Sequence, residues 1–526
     1  MRGGKDEVAN FADWNRQADA YGWARPASFL EHGPPVPERE AEVRQREAYE
    51  VAVERLSERL EQKAVITHHE VRTAAFQGLI HAGNAGGIAD ADAVTRLMRE
   101  EGVLQYGEKT ALVWGREAEK RHVSVTTALH QEHEAEFIRL AGGAAADRSG
   151  AIPAELLDRK ARESGLDFSD AHGKAQKAAM DKIAEGSNLS MVVGVAGSGK
   201  SALLRPLIAA WKEQGRDVHG ASLAWRQADE LTPAGIDPQN VKALSVMLDG
   251  LEDGSIKLTE KSVVAVDEWA LLGTRQGLEL LRHRDKAGFQ IVALGDDKQL
   301  VSIEAGAIVD LCRLALGPEE IPEILTTKRQ QTEREQKSVA LLREGRAAEY
   351  LAMKREDGTV ELVPGRAEDV ISRVAKLYAE RLEATGRAPT IAAPTNQDAH
   401  LIGGAVRKER RKMGLLGNDI STVKATDGTR QYTLALAQGD RVRLYRSTGA
   451  DYGNGQGGPI GRNGDVLEVV GVSMDGLKLK SAAGKVGTVG WEKLADKKTG
   501  RTLLGYGDCL TVHSAQGSTA DECPGR

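Results

Sequence analysis

The sequence predicts an α/β protein built on parallel sheet, and three observations predict it. The first is the passage Leu189-Ser-Met-Val-Val-Gly194-Val-Ala-Gly197-Ser198-Gly199-Lys200-Ser201, where an apolar run empties into a glycine-rich turn and then into helix-forming residues. The second is alternation: apolar runs at Asp217–Ser222, Ser262–Val266 and Gln290–Leu294 are separated by stretches long enough for helical crossovers. The third is a switch to period two between about Tyr432 and Leu503, in Arg441-Val-Arg-Leu444, in Asp465-Val-Leu-Glu-Val-Val470 and around the Asp475-Gly476 turn. That switch predicts a small β-barrel inserted near the end of the chain.

A chain of 526 residues holds about three or four domains. Its 71 basic and 77 acidic residues leave a net charge of −6, so no overall charge attracts nucleic acid and any such site must be local. With 4% aromatics, cores must lean on Ala, Leu and Val. Cys312, Cys509 and Cys523 show no metal-type spacing and read as small core or tail residues of a reducing compartment. No apolar run approaches the roughly 18 residues of a membrane span, and the start Met1-Arg-Gly-Gly-Lys-Asp-Glu lacks an apolar leader core, so the expectation is a cytoplasmic protein without membrane insertion.

Residues 1–62 read as a helical connecting segment: polar and proline-punctuated to about 40, then one amphipathic helix with Tyr49, Val53, Leu56 and Leu60 on its apolar side. Residues 63–150 read as an accessory domain. Thr67-His-His-Glu70 has the form of a capping box opening a helix, Val94, Leu97 and Met98 mark a second helix, and Val103–Tyr106 with Thr110–Trp114 flank a turn at Gly107. Helix, helix and hairpin is the order of a winged helix. Six histidines here, His68, His69, His81, His122, His130 and His133, lack any HExxH spacing and read as a solvated face. Ala141–Gly150 reads as a small-residue linker, and Ala175–Ala184 as a helix presenting Gln176, whose carboxamide suits an adenine edge.

Residues 151–318 read as a first α/β lobe. Gly194, Gly197 and Gly199 let the backbone wrap a polyphosphate with amides inward; Ser198 lies in the same loop, Lys200 reaches the β/γ-phosphates and Ser201 ligates Mg²⁺. Strand 262–266 delivers Asp267 to the Mg²⁺ sphere and Glu268 to the attacking water. The next strand ends in Gly295-Asp-Asp-Lys-Gln299-Leu300, where Gln299 can sense a γ-phosphate. Residues 319–526 read as a second lobe, carrying Arg329 for γ-phosphate charge, Thr395 and Asn396 on the lip of a strand, the basic cluster 407–412, and the β-barrel at about 430–503. That cluster suits phosphate contact as well as an ordinary helix surface, with the surface reading favoured.

These blocks in this order resemble superfamily 1 DNA helicases of the RecD/TraI-like branch, most closely the helicase portion of MobF-type conjugative relaxase-helicases. The phosphate loop is similar to motif I, Asp267-Glu268 to motif II, Gly295–Leu300 to motif III, Lys328-Arg329-Gln330 to motif IV and Thr511–Thr519 to motif V. The resemblance implies two RecA-like lobes with an SH3-like insertion, ATP and Mg²⁺ as cofactors, and ATP hydrolysis coupled to DNA unwinding. It implies single-stranded DNA at Thr395, Asn396, His513, Gln516 and Thr519, and 5′-to-3′ movement in plasmid transfer with relaxosome proteins and a type IV secretion coupling protein. Two departures stand: the family's relaxase domain would precede residue 1, and its motif VI arginine would follow residue 526. The alternatives are therefore a hydrolysis-deficient ATP- and DNA-binding remnant and a RecD-like recombination or repair subunit.

Overall fold

The computed structural model describes residues 41–83, 87–116, 123–299, 302, 304–330, 332–453 and 456–515. Its described residues fall into two compact units, one formed by the chain up to Gly143 with Leu272–Arg282 and Ser302–Ala315, the other by Ala144–Leu271, His283–Val301 and Leu316 onward.

In the first unit α1 (Ala41–Gln62) buries Tyr49, Val53, Leu56 and Leu60, the expected side. It is followed by β1 (Ile66–Thr67), α2 (His68–His81) and α3 (Ile88–Glu101). The capping box forms: the Glu70 amide donates to Thr67 Oγ1 at 3.2 Å and the Thr67 amide to Glu70 Oε2 at 2.9 Å. The expected hairpin is divided, because Tyr106 and Gly107 both take positive φ and turn β2 (Val103–Gln105) tightly into β3 (Glu108–Thr110). The rest of the expected second strand belongs to β4 (Leu112–Arg116), which joins β5 (Val123–Thr127) and β1 in the order β1-β5-β4. The solvated-face reading fails for His130, which is buried and faces Glu134 at 3.1 Å. Residues 141–146, expected as linker, continue α4 (Ala128–Ala146), since a run of alanines favours helix more than its small size suggests.

The second unit continues with α5 (Ala154–Glu163), α6 (Ala171–Ala184), β6 (Leu189–Gly194), α7 (Lys200–Glu213), β7 (Asp217–Ser222), α8 (Trp225–Asp229), β8 (Val241–Ala243), α9 (Leu244–Glu252) and β9 (Ser262–Val266). Then come β10 (Gln290–Gly295) and β11 (Glu323–Ile324), while most of α10 (Thr274–Ala287) and of α11 (Ile308–Leu316), which precede them in turn, belongs to the first unit. The six strands form one parallel sheet in the order β11-β6-β10-β9-β7-β8. Every residue of β6, β9 and β10 is buried, which is why these strands read as unbroken apolar runs rather than alternating ones. Each buried Val, Leu or Ile here contributes about 1.5–3 kcal/mol. The edge strand β11 lies past the boundary drawn at 318, so the first lobe extends at least to Ile324.

Beyond it α12 (Glu333–Arg343), α13 (Ala347–Glu356) and α14 (Ala367–Thr385) precede β12 (Ile391–Ala393) and α15 (Asn396–Lys412). The expected small barrel is instead an antiparallel sheet with two ends, flanked by a hairpin. The hairpin is β13 (Asp419–Thr426) with β14 (Gln431–Ala437). The sheet contains β15 (Arg441–Leu444), β16 (Thr448–Gly453), β17 (Gln456–Gly461), β18 (Val466–Val472), β19 (Gly476–Lys480), β20 (Val486–Gly490) and β21 (Leu504–Tyr506), in the order β17-β16-β20-β19-β18-β15-β21. Hairpin and sheet share one core, with Ala425, Leu434 and Leu436 against Val442, Leu467, Leu477 and Val489. The chain then returns as β22 (Cys509–Thr511), parallel to β12, and α16 (Val512–Ala515). Packing α14 and α15 on this pair buries Tyr378, Ile391, Ile402, Val406 and Cys509 in a second α/β core.

Candidate functional site

Parallel register brings three motifs to one end of the first sheet. Val193 lies opposite Gly295, and Ala293 opposite Val266, so β6, β10 and β9 release their loops side by side. The first loop enters α7, whose opening residues Lys200, Ser201 and Ala202 carry amides that the helix itself cannot satisfy. Gly197 and Gly199 sit at φ 78° and 75°, where a side chain is strained. Space forbids one as well: a Cβ on Gly197 would stand 2.4 Å from Arg329 Cβ, and one on Gly199 would stand 2.6 Å from Gln176 Nε2. Ser198 is buried with its hydroxyl unpaired among the described residues. The Lys200 ammonium turns back onto the Gly194 carbonyl at 2.7 Å. Loose amides, an orphaned hydroxyl and a lysine resting on backbone are the features a polyphosphate would satisfy, so these residues fit a nucleotide. Ser201, half-buried in the first helical turn, and Asp267 are the residues that would hold its Mg²⁺.

Gln176 lies under the loop rather than beside it, 5% exposed, donating to the Ser198 carbonyl at 2.9 Å. Asp267 is fixed by its amide on Ala221 O at 2.9 Å and by the Ser222 hydroxyl donating to its carbonyl at 3.0 Å. Burial pushes the Asp267 carboxyl up, against the pull of Lys200. Burial first, and then the Asp267 charge, push Glu268 up to about 7, with Asp296 and Glu230 adding to the rise and Lys200 opposing it. A carboxyl at that value suits proton transfer near neutrality. Glu230 is likewise raised by burial and by Asp267.

The third loop is a turn in which Gln299 Nε2 donates to Asp296 Oδ2 at 3.0 Å. Asp296 is 3% exposed and takes the Arg343 guanidinium, whose second amine reaches Asp297 at 3.1 Å. Segment 326–330 crosses the phosphate loop: Thr327 Oγ1 donates to Ala196 O at 3.0 Å and the Lys328 amide to Gly197 O at 3.0 Å, which sets Arg329 against Gly197. Lys200, Asp267, Glu268, Gln299 and Arg329 therefore share one neighbourhood. Sequence reading missed Arg343 and Glu230, because neither lies in a motif; the only hint was the doubled acid Asp296-Asp297, which needs a cation if buried.

On the second core, Ala393 pairs with Thr511, so the lips of β12 and β22 adjoin. Thr395 caps α15, accepting from the Asp398 amide at 3.1 Å and donating to its carboxylate at 2.8 Å, while Asn396 and His513 are exposed. Gln516, Thr519, Leu300 and Cys523 lie outside the described residues. The basic cluster is not the open surface expected. Arg407 is buried against Asp440 at 2.7 Å and Arg410 against Asp508 at 3.1 Å, tying the helix to the β-rich segment, and Arg411 reaches Asp419 at 2.6 Å. Only Lys408 and Lys412 of its cations stay exposed without such a clasp, Lys412 meeting Glu409 within its own helix.

Residues 171–364 match a family model described as an AAA domain, a span that opens with α6 and contains all three sheet-end loops and Arg343. That match ends before the second core, and relatives reach further. A probable conjugal transfer protein TraA of Sinorhizobium fredii (strain NBRC 101917 / NGR234) is 25% identical over 349 residues, 66% of this chain and 29% of the relative. A conjugal transfer protein TraA of Rhizobium radiobacter is 25% identical over 352 residues, again 66% and 29%. The chain thus covers under a third of the length of these curated relatives. Among solved structures, Pif1 helicase from Bacteroides in complex with ADP-AlF3 and ssDNA is 16% identical, covering 68% of this chain and 86% of that one at a TM-score of 0.42, a likeness too loose to match residue to residue. The resemblance to superfamily 1 helicases of the RecD/TraI-like branch is borne out by the match to the AAA-domain model together with the conjugal-transfer relatives. Among the described residues no helix is long and apolar enough to cross a membrane.

Proposed function

We propose that the chain is an ATP-dependent DNA helicase or translocase acting on single-stranded DNA in conjugative plasmid transfer. The observation that carries this reading is the register of β6, β10 and β9, which delivers the phosphate loop, the Asp267-Glu268 pair and the Asp296–Gln299 turn to one sheet end. Bound Mg²⁺ would supply charge neutralisation at the β- and γ-phosphates. The loop amides and Lys200 hold the phosphates, Glu268 orients a water and takes its proton, Gln299 senses the γ-phosphate, and Arg329 faces its charge. Thr395, Asn396 and His513 offer single-stranded DNA a polar lip on the second core. Helices α1–α3 with the β1-β5-β4 sheet serve as a winged-helix accessory domain, supported by their element order. The conjugal-transfer relatives support the setting, with relaxosome proteins and a type IV secretion coupling protein as partners.

Two variants test the reading. Lys200→Ala weakens binding of a fluorescent ATP analogue, whereas Glu268→Gln keeps binding and lowers DNA-stimulated hydrolysis by roughly 10²–10⁴. Wild-type turnover in Glu268→Gln removes that residue from the mechanism, and a wild-type chain that binds ATP and DNA without hydrolysis favours the remnant reading.

A further inference from the structure

Segment 326–343 is fastened to the nucleotide site at both ends. Its start hydrogen-bonds to the phosphate-loop carbonyls of Ala196 and Gly197, and its last residue, Arg343, holds Asp296 and Asp297 at the end of β10. Between them α12 opens on a complete capping box of Thr332 with Glu335, so the helix is well defined at its start. Gln336 donates to the Gln330 carbonyl at 3.0 Å, and Arg334 clasps Glu356 at the end of α13 and Asp357 just past it, making α12 and α13 one tied pair. The Arg343 contact differs from ordinary surface pairing: Asp296 is 3% exposed, and its second oxygen accepts from Gln299 at 3.0 Å. One carboxylate is therefore shared between the residue that senses the γ-phosphate and the residue that ends α12. A guanidinium gripping two carboxylates in a fixed fork transmits displacement better than a single flexible contact.

We propose that Arg343 is a positioning residue that couples the Asp296–Gln299 turn to the α12–α13 pair, so that nucleotide state is passed through this one guanidinium toward the DNA-facing second core. The inference rests on the nucleotide and DNA reading above. Arg343 acts through Asp296, whose carboxylate its guanidinium holds. Its loss separates two properties that a purely structural role would move together.

The test measures affinity for a fluorescent oligothymidylate without nucleotide and with a non-hydrolysable ATP analogue. In the wild-type chain the two affinities differ by about 5–150-fold, the usual span of coupling between sites. Arg343→Ala brings the ratio below about twofold and Asp297→Asn, which keeps the Asp296 contact, lowers it in part, while affinity for the analogue alone stays within about threefold in both, and Arg343→Lys recovers part of the ratio. Asp297→Asn keeps the side-chain shape and so reports even if Arg343→Ala fails to fold. A wild-type ratio retained in both variants overturns the inference and leaves the helicase reading standing. A wild-type chain whose DNA affinity ignores nucleotide, or that binds neither, overturns both.

Discussion

Glu268 follows Asp267 in a left-handed backbone conformation, φ 53°, and its amide donates to the Asp267 carboxylate at 2.9 Å. A non-glycine residue in that region stores about 1–3 kcal/mol, which the surrounding sheet must hold in place. Glutamate is tolerated there because the turn sets two carboxylates at one strand end, where burial raises both.

Replacing Glu268 by glycine separates strain from chemistry. Glu268→Gly is at least as stable as wild type in urea unfolding, with a gain of up to about 1 kcal/mol, while hydrolysis falls by roughly 10² or more. A clearly destabilised glycine variant shows that the backbone there is unstrained.

At Gly197 both backbone and space exclude a side chain. Gly197→Ala places a methyl on Arg329 and in an unfavourable φ, so stability drops by about 1–3 kcal/mol and nucleotide affinity falls with it. Isothermal titration that finds unchanged affinity refutes the crowding between the loop and segment 326–330.

The buried arginines of α15 should behave as structural clasps. Arg407→Ala strands the fully buried Asp440 and costs about 3–5 kcal/mol, whereas the exposed Lys408→Ala costs within about 0.5 kcal/mol. If Arg407→Ala leaves the thermal midpoint unmoved and instead lowers DNA affinity, the cluster is a phosphate contact after all.

Acid sensitivity follows from Asp419, whose carboxyl Arg411 first and Arg407 next hold down to about 2 from the ordinary 3.8. A depressed carboxylate contributes stability that is present above its unfolded value and lost as pH falls from about 4 toward 2. Its side chain is 41% exposed, so water screens the contribution to about 0.5–1 kcal/mol. Wild type should therefore exceed Asp419→Asn by that amount at pH 6 in denaturant unfolding, with the gap closing below about pH 3. A gap that persists unchanged at pH 2 assigns the difference to packing.

The local rules that act within a few residues were readable from the chain: the strand runs of β6, β7, β9 and β10, the Thr67–Glu70 capping box, the phosphate loop and the acid pair at 267–268. What escaped needed distant partners. Arg407 and Arg410 look like a surface cluster until Asp440 and Asp508 arrive from later strands, and Arg343 gains meaning only when β10 presents Asp296 across 47 residues. Alternation along 432–503 announced strands but said nothing of their order, so a closed barrel was expected where the sheet has two ends. The linker at 141–150 failed for a local reason, since glycine and alanine together were read as a break although alanine dominates a helix that long.

The first compact unit borrows two later pieces of chain. Arg275 lies over the Tyr106 ring at 4.7 Å, Arg282 pairs with Glu136 at 2.6 Å, and the Ala305 amide donates to the Glu61 carbonyl at 2.9 Å. On a ribosome adding about 5–20 residues per second, residues up to Gly143 emerge roughly ten to thirty seconds before Ala315 does. The leading part of this chain can bury its core, Ala48 to Val125, as it appears, but Tyr106, Glu136 and the Glu61 carbonyl wait for these later partners until the segments that follow β9 and β10 have been synthesised. Assembly of the leading unit and completion of the nucleotide site are in this way timed to the same stretch of translation.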